Sequence, residues 1–140
     1  MSEIRLSGSC LCGSVAYEIS GQAMHFFHCH CERCRKATGT GHASNIIMRP
    51  ETVQWIAGEQ LLTHHKVAEA KRFATSFCGV CGSLMPRIAP DKSIAVIPAG
   101  TLDNDPGVRP DARIFQGSRT EWSCEAGDLP AHETYPPQNG

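Results

Sequence analysis

Short apolar and β-branched runs, many of them stopped by glycine, proline or serine, recur along the chain. Residues 4–6 and 14–19 open the pattern. Val15-Ala16-Tyr17-Glu18-Ile19 carries the β-branched and aromatic side chains that suit a pleated surface, and it stops at Ser20-Gly21. Met24-His25-Phe26-Phe27-His28 predicts the next strand. Cys31 to Lys36 predicts one helical turn, ended by Thr38-Gly39-Thr40-Gly41. Further strands are expected at 43–48, closed by Arg49-Pro50, and at Val53-Gln54-Trp55-Ile56, closed by Gly58. Others follow at 61–66, 70–77, 83–88 and 93–98, with Arg113-Ile114-Phe115 as a late short strand. A loop rich in Pro, Asp and Gly begins at Gly100-Thr101-Leu102-Asp103, and the tail from Pro136 to Gly140 is expected to fray. With no linker and no long-period repeat, residues 1–140 read as one mainly β domain.

Composition sharpens this. Aromatic residues are only 6% of the 140 positions, while there are 13 glycines and 9 prolines. The core is therefore thin and the turns frequent, and a small β-rich domain of that kind often needs a metal or disulfide staple. The formal net charge of −1 gives no global electrostatic reason to expect nucleic acid or an anionic membrane as a partner. The N-terminal MSEIRLSGSC lacks a cationic segment followed by an apolar run, and no apolar stretch approaches the length of a membrane span. A cytoplasmic, reducing location is the expectation. There, 8 closely spaced cysteines point to metal or redox chemistry rather than to disulfides.

The cysteines fall into two kinds of cluster. Ser9-Cys10-Leu11-Cys12-Gly13-Ser14 and Phe77-Cys78-Gly79-Val80-Cys81-Gly82-Ser83 both end in Cys-Gly-Ser. Glycine after the second cysteine permits the tight turn of a metal knuckle. Two such turns supply four thiolates, enough to close a tetrahedral zinc shell, so Cys10, Cys12, Cys78 and Cys81 are assigned to one structural zinc. The stretch His28-Cys29-His30-Cys31-Glu32-Arg33-Cys34-Arg35-Lys36 has no such ending. Three thiolates leave one tetrahedral position open, as in catalytic zinc, and a soft external thiol suits that position. On this reading Cys29, Cys31 and Cys34 hold a second, labile zinc. Arg33, Arg35 and Lys36 offset its charge and bind substrate carboxylates.

Other readings of the same residues stand beside this one. His28, His30 or His42 would close the trio as a Cys₃His structural site, although His28 and His30 alternate with the cysteines and would face the other way on an extended strand. Cys31-Glu32-Arg33-Cys34 is also a Cys-x-x-Cys dithiol, without the βαβ context such redox motifs want. The three cations would serve equally as solvated surface charges. Cys124, near Trp122, reads as a buried or incidental thiol, and His64-His65 as surface.

The order Cys-x-Cys-Gly at Cys10–Gly13, Cys-His-Cys-x-x-Cys-Arg-Lys-x-Thr-Gly at Cys29–Gly39, Phe-Cys-x-x-Cys-Gly-Ser at Phe77–Ser83 and Gly-Thr-Leu-Asp at Gly100–Asp103 resembles the glutathione-dependent formaldehyde-activating enzyme family, also called the centromere protein V/GFA domain. The resemblance covers about residues 5–135. It implies an Mss4-like β-tent of small antiparallel sheets pinned by zinc. It also implies the same division into a structural zinc and a labile active-site zinc, and a carbon–sulfur lyase activity that interconverts formaldehyde plus glutathione with S-hydroxymethylglutathione. The sequence departs from the family where Arg113 replaces a usual histidine before Ile114-Phe115, where Glu121-Trp122 stands for Pro-Trp, and where Gly8-Ser9 stands for Gly-Gly. The expected function is a zinc-dependent enzyme acting on glutathione–aldehyde adducts, with Thr38 near the proton transfer and a small thiol and an aldehyde as partners. A homo-oligomer is left open. The alternative is a non-catalytic zinc- or thiol-binding module of the Mss4-like class.

Overall fold

The computed structural model describes residues 2–123 and 129–137. Cys124 lies outside them. The larger sheet is built on a long hairpin, β2 (Ala16–Cys29) against β3 (Ala43–Ala57). Strand β1 (Ser2–Ser9) lies antiparallel on the outer edge of β2. The short helix α1 (Glu32–Thr38) connects β2 to β3. A smaller sheet follows from β4 (Leu62–Lys66), β5 (Ala74–Cys78) and β6 (Leu84–Met85), all antiparallel. The chain then rejoins the larger sheet through β7 (Arg87–Ile88) and β8 (Ala95–Pro98), with β8 on β3. Finally β9 (Ala112–Ile114) pairs in parallel with the last residues of β2, sharing an edge with β1. The protein is thus mainly β, with small antiparallel sheets, as expected.

Two differences from the sequence reading have clear causes. The expected breaks at Ser20-Gly21 and Arg49-Pro50 do not end strands. Gly21 and Pro50 face each other across the hairpin, and the register shifts beside them. The glycine accepts a close approach of the Arg49 carbonyl that any Cβ would block. The proline, which has no N–H to donate, sits at the irregularity where none is needed. The two punctuation marks therefore cancel, and four expected strands become two long ones. The single strand expected at 83–88 instead divides at buried Pro86, with Leu84–Met85 in the smaller sheet and Arg87–Ile88 in the larger. The strand expected at 70–77 begins only at Ala74, after a turn closed by Ala70 N–H to Val67 O and Val67 N–H to Phe73 O.

The core lies on one face of the large sheet, where Leu6, Tyr17, Ile19, Ile46, Met48 and Ile97 are almost fully buried. Gly-Thr-Leu-Asp at 100–103 is a latch onto β1. Thr101 Oγ1 meets the hydroxyl of Tyr17 at 2.6 Å, the Asp103 amide donates to Ser7 O at 2.8 Å, and the Asp103 carboxylate accepts from the Ser9 hydroxyl at 2.8 Å. Asp111 does the same for β9: its amide donates to Phe26 O and its carboxylate accepts from Phe26 N–H. Both latches hold irregular chain against strands that already have partners, and they fix the strand that ends at the cysteine trio. Ile46 has no exposed surface. Ile46→Ala is expected to lower the unfolding free energy by about 2–5 kcal/mol, measured by urea denaturation of the zinc-loaded protein.

Candidate functional site

Each of the two Cys-Gly-Ser turns closes a hairpin. Cys10 and Cys12 lie between β1 and β2, while Cys78 ends β5 and Cys81 lies in the turn to β6. The turns have the same hydrogen bonds. Gly13 N–H donates to Cys10 O and Gly82 N–H to Cys78 O, and the first cysteine amide of each turn reaches across to Val15 O or Ser83 O. Gly13 and Gly82 adopt φ of 79° and 80°, the left-handed region where a side chain is strained. This is why the sequence repeats a glycine after the second cysteine.

The four sulfurs all lie within 4.8 Å of one another. Cys10 Sγ to Cys12 Sγ is 3.6 Å and Cys12 Sγ to Cys78 Sγ is 3.9 Å. A tetrahedral zinc with bonds of about 2.3 Å needs sulfur–sulfur edges of about 3.8 Å, so these residues fit the metal. The turns also supply hydrogen bonds to the sulfurs. Val15 N–H donates to Cys10 Sγ at 3.2 Å and Val80 N–H to Cys78 Sγ at 3.4 Å. The hydroxyl and amide of Ser83 bring the Cys81 thiol down to about 5, and those of Ser14 lower Cys12. The serine of the repeated tripeptide therefore supports a thiolate in both turns, a role the sequence reading did not assign.

The trio is built differently. Cys29 ends β2, Cys31 is the N-cap of α1, and Cys34 lies in its first turns. Cys31 Sγ accepts the Cys34 amide at 3.3 Å, and Gly39 closes the helix in a left-handed C-cap. The three sulfurs also lie within 4.8 Å of one another and so could hold a metal from three corners. Among the described residues no histidine or carboxylate joins that group. Burial pushes the Cys29 and Cys34 thiols up, and for Cys34 the neighbouring Cys29 and Cys31 sulfurs add to it. Burial also raises Cys31, but the hydrogen bond from the Cys34 amide and those from the neighbouring thiols outweigh it, so its net shift is downward. Three neighbouring thiols, two of them buried, cannot carry three negative charges unaided, and a divalent cation would supply the missing compensation.

The histidines lie apart from the three sulfurs. The His28 ring stacks on His42 at 4.2 Å, and His30 is tilted against His42 at 5.0 Å. Burial, then the His42 ring and the Arg113 side chain, holds His28 toward its neutral form. Arg113 pairs with His28 across the β2–β9 register, whereas its neighbour Ile114 lines a cavity beside the trio. Cys29, Cys34 and Ile114 line that cavity, whereas His28, His30, His42 and Arg113 do not.

Two cavities meet at the trio, with Cys29 and Cys34 lining both. The outer basin is bordered by Cys31, Arg33, Lys36, His65 and Phe115. The inner chamber, of about 220 Å³, lies between the two sheets and is walled mainly by apolar side chains. Arg33 and Lys36 thus stand at the basin, but Arg35 borders neither cavity. Thr38 borders the inner chamber, and its hydroxyl donates to Cys34 O at 2.8 Å while its oxygen accepts the Thr40 amide at 3.3 Å. His64 and His65 are exposed, as expected, yet His64 Nδ1 meets the buried Ser76 hydroxyl at 2.7 Å and His65 borders the basin. Sequence reasoning missed Phe115 as well. It holds a left-handed backbone at φ 56° while exposing its ring at the basin edge, and such strain in a non-glycine residue gathers at functional sites.

A mainly β scaffold with two cysteine clusters able to hold metal, one of them beside a cavity, defines a cysteine-rich metal-binding class. Within it the chain belongs to the glutathione-dependent formaldehyde-activating enzyme family, whose profile matches residues 5–118. A crystal structure of a Rhodobacter sphaeroides protein from a structural-genomics programme is similar in fold. It has a TM-score of 0.51 and 20% identity, over 76% of this chain and 97% of that one. No curated protein matches the sequence. Among the described residues, no helix is long and apolar enough to cross a membrane.

Ser83→Ala is expected to lower zinc affinity at the four-cysteine cluster by roughly 10- to 100-fold, the usual effect of removing a group that supports a ligand. Competition with a chelating dye measures it.

Proposed function

We propose that the protein is an enzyme that makes and breaks the carbon–sulfur bond of thiol–aldehyde adducts, with glutathione or a similar thiol as one partner. In this reading Cys10, Cys12, Cys78 and Cys81 hold a structural zinc, and Cys29, Cys31 and Cys34 hold a labile catalytic one. The observation that carries the reading is a group of three cysteine sulfurs, joined by no fourth ligand among the described residues, at the junction of two cavities. Family membership supports glutathione and formaldehyde as the parent chemistry.

When bound at the trio, zinc supplies a Lewis-acidic position with high affinity for a thiol and favours its thiolate form. The chain's own residues do the rest. Arg33 and Lys36, both exposed at the basin, attract the carboxylates of a tripeptide thiol, the guanidinium in a two-pronged contact. Arg35 is relieved of that role by its position. Holding thiol and carbonyl carbon at adjacent places replaces a bimolecular encounter with a local one, a large source of rate. The Thr38 hydroxyl keeps its own proton on Cys34 O and accepts the Thr40 amide, so it braces the end of α1 beside the reacting group rather than acting as a free acid. A cytoplasmic location suits reduced cysteines and a millimolar-scale thiol partner.

Cys31→Ser is expected to lose the labile zinc and the activity while keeping its fold, because serine is a better helix N-cap than cysteine. Cys78→Ser is expected to lose the structural zinc and cooperative unfolding together. Zinc content, circular dichroism and glutathione titration, made anaerobically on both variants, read these outcomes. Global unfolding of Cys31→Ser, or two zincs that ignore glutathione in the wild type, would replace this reading with a non-catalytic zinc module.

A further inference from the structure

The two cavities that share Cys29 and Cys34 suit different chemistry. The outer basin is bordered by charged side chains, namely Glu32, Arg33 and Lys36. The inner chamber is walled mainly by Phe27, Ile47, Leu84, Met85, Val96 and Ile114, drawn from both sheets, with Asn45 and Arg87 the larger polar side chains on its lining. Two of the few hydroxyls on its wall are already engaged, Ser76 with His64 and Thr38 with the Cys34 carbonyl. A tripeptide thiol carries carboxylates and an ammonium group, which an apolar wall would strip of water without return. Formaldehyde has no substituent at all and leaves such a space empty. A dry apolar cavity of roughly 150 Å³ already holds a benzene ring. The chamber, at about 220 Å³, holds more.

We propose that the inner chamber receives the hydrocarbon substituent of the carbonyl substrate, so that the protein acts on adducts of apolar aldehydes of about six to eight carbons. This rests on the thiol–aldehyde reading above and names its aldehyde class. The thiol lies in the outer basin, the reacting carbon lies beside Cys29 and Cys34, and the alkyl or aryl group points between the sheets. The chemistry balances without an oxidant or reductant. A sulfur lone pair forms the C–S bond, the C=O π pair moves onto oxygen, and the thiol proton ends on that oxygen. The reverse breaks the C–S bond and returns the proton to sulfur.

S-alkylglutathiones test the geometry because a thioether cannot release an aldehyde. Calorimetric titration of the zinc-loaded protein with the S-methyl, S-butyl and S-hexyl compounds is expected to show affinity rising by roughly three- to fourfold per methylene. Val96→Phe and Leu84→Phe each fill part of the chamber, and each is expected to cut the hexyl-to-methyl affinity ratio at least about tenfold, in line with the loss of two or more buried methylenes. Carbon-13 exchange spectroscopy then compares protein-accelerated adduct exchange for glutathione with hexanal and with formaldehyde, and hexanal is expected to be favoured in kcat/KM. Acceleration with formaldehyde alongside a flat alkyl series would overturn the chamber assignment and leave the thiol–aldehyde reading standing. No acceleration with either aldehyde and no binding of any S-alkylglutathione would overturn both. A rising alkyl series that both filling variants leave intact would place the alkyl group elsewhere and overturn the chamber assignment.

Discussion

The geometry of the site depends on a tie between two hairpin turns far from it. Cys10 and Cys12 sit at the end of the large sheet's β1–β2 hairpin, and Cys78 and Cys81 at the end of the small sheet's β5–β6 hairpin, with their sulfurs at metal-sharing distances. The inner chamber is floored by one sheet, through Phe27, Ile47 and Val96, and walled by the other, through Thr75, Leu84 and Met85. Its width is therefore set by how the sheets are held together. Pro86 is the second tie, because the chain passes from one sheet to the other there. A thin aromatic-poor core does not fix two small sheets firmly by itself, so these two links carry much of the burden.

The two cysteine clusters also differ in how they treat negative charge. In the four-cysteine cluster the sulfurs of Cys10 and Cys78 accept backbone amides, and Cys12 and Cys81 are supported by the serine that ends each turn. Cys78 is the exception, because the lowering by the Cys81 amide is outweighed by burial and the Cys81 and Cys10 sulfurs, which push its thiol up. In the trio, the main donation is the Cys34 amide to Cys31, and burial holds Cys29 and Cys34 in their protonated forms.

Much of this was legible in the chain because ligand chemistry is local. The repeated Cys-Gly-Ser marks two turns with the same left-handed glycine, and the close spacing of Cys29, Cys31 and Cys34 marks a second cluster of sulfurs. The helical turn after Cys31 was legible from its Thr-Gly stop. Three features were not. Gly21 and Pro50 each read as a strand end and become harmless only because they face each other, a long-range fact no local pattern carries. The change of sheet at Pro86 is equally invisible, since both halves of 83–88 have strand character. Arg35 looks like its neighbours Arg33 and Lys36, but on a helix adjacent residues point in different directions, and only two of the three face the basin.

Cys31 has two duties, as part of the trio and as the N-cap that accepts the Cys34 amide. Serine, aspartate and asparagine are the preferred residues for the second duty alone. A single substitution to any of them would remove one sulfur from the trio and at the same time improve the helix. Evolution of this scaffold therefore meets little structural resistance to losing its chemistry, and relatives that keep the four-cysteine tie but not the trio are an accessible outcome of drift. At that one position the demands of ligand chemistry and of folding point to different side chains, because folding alone would favour something else.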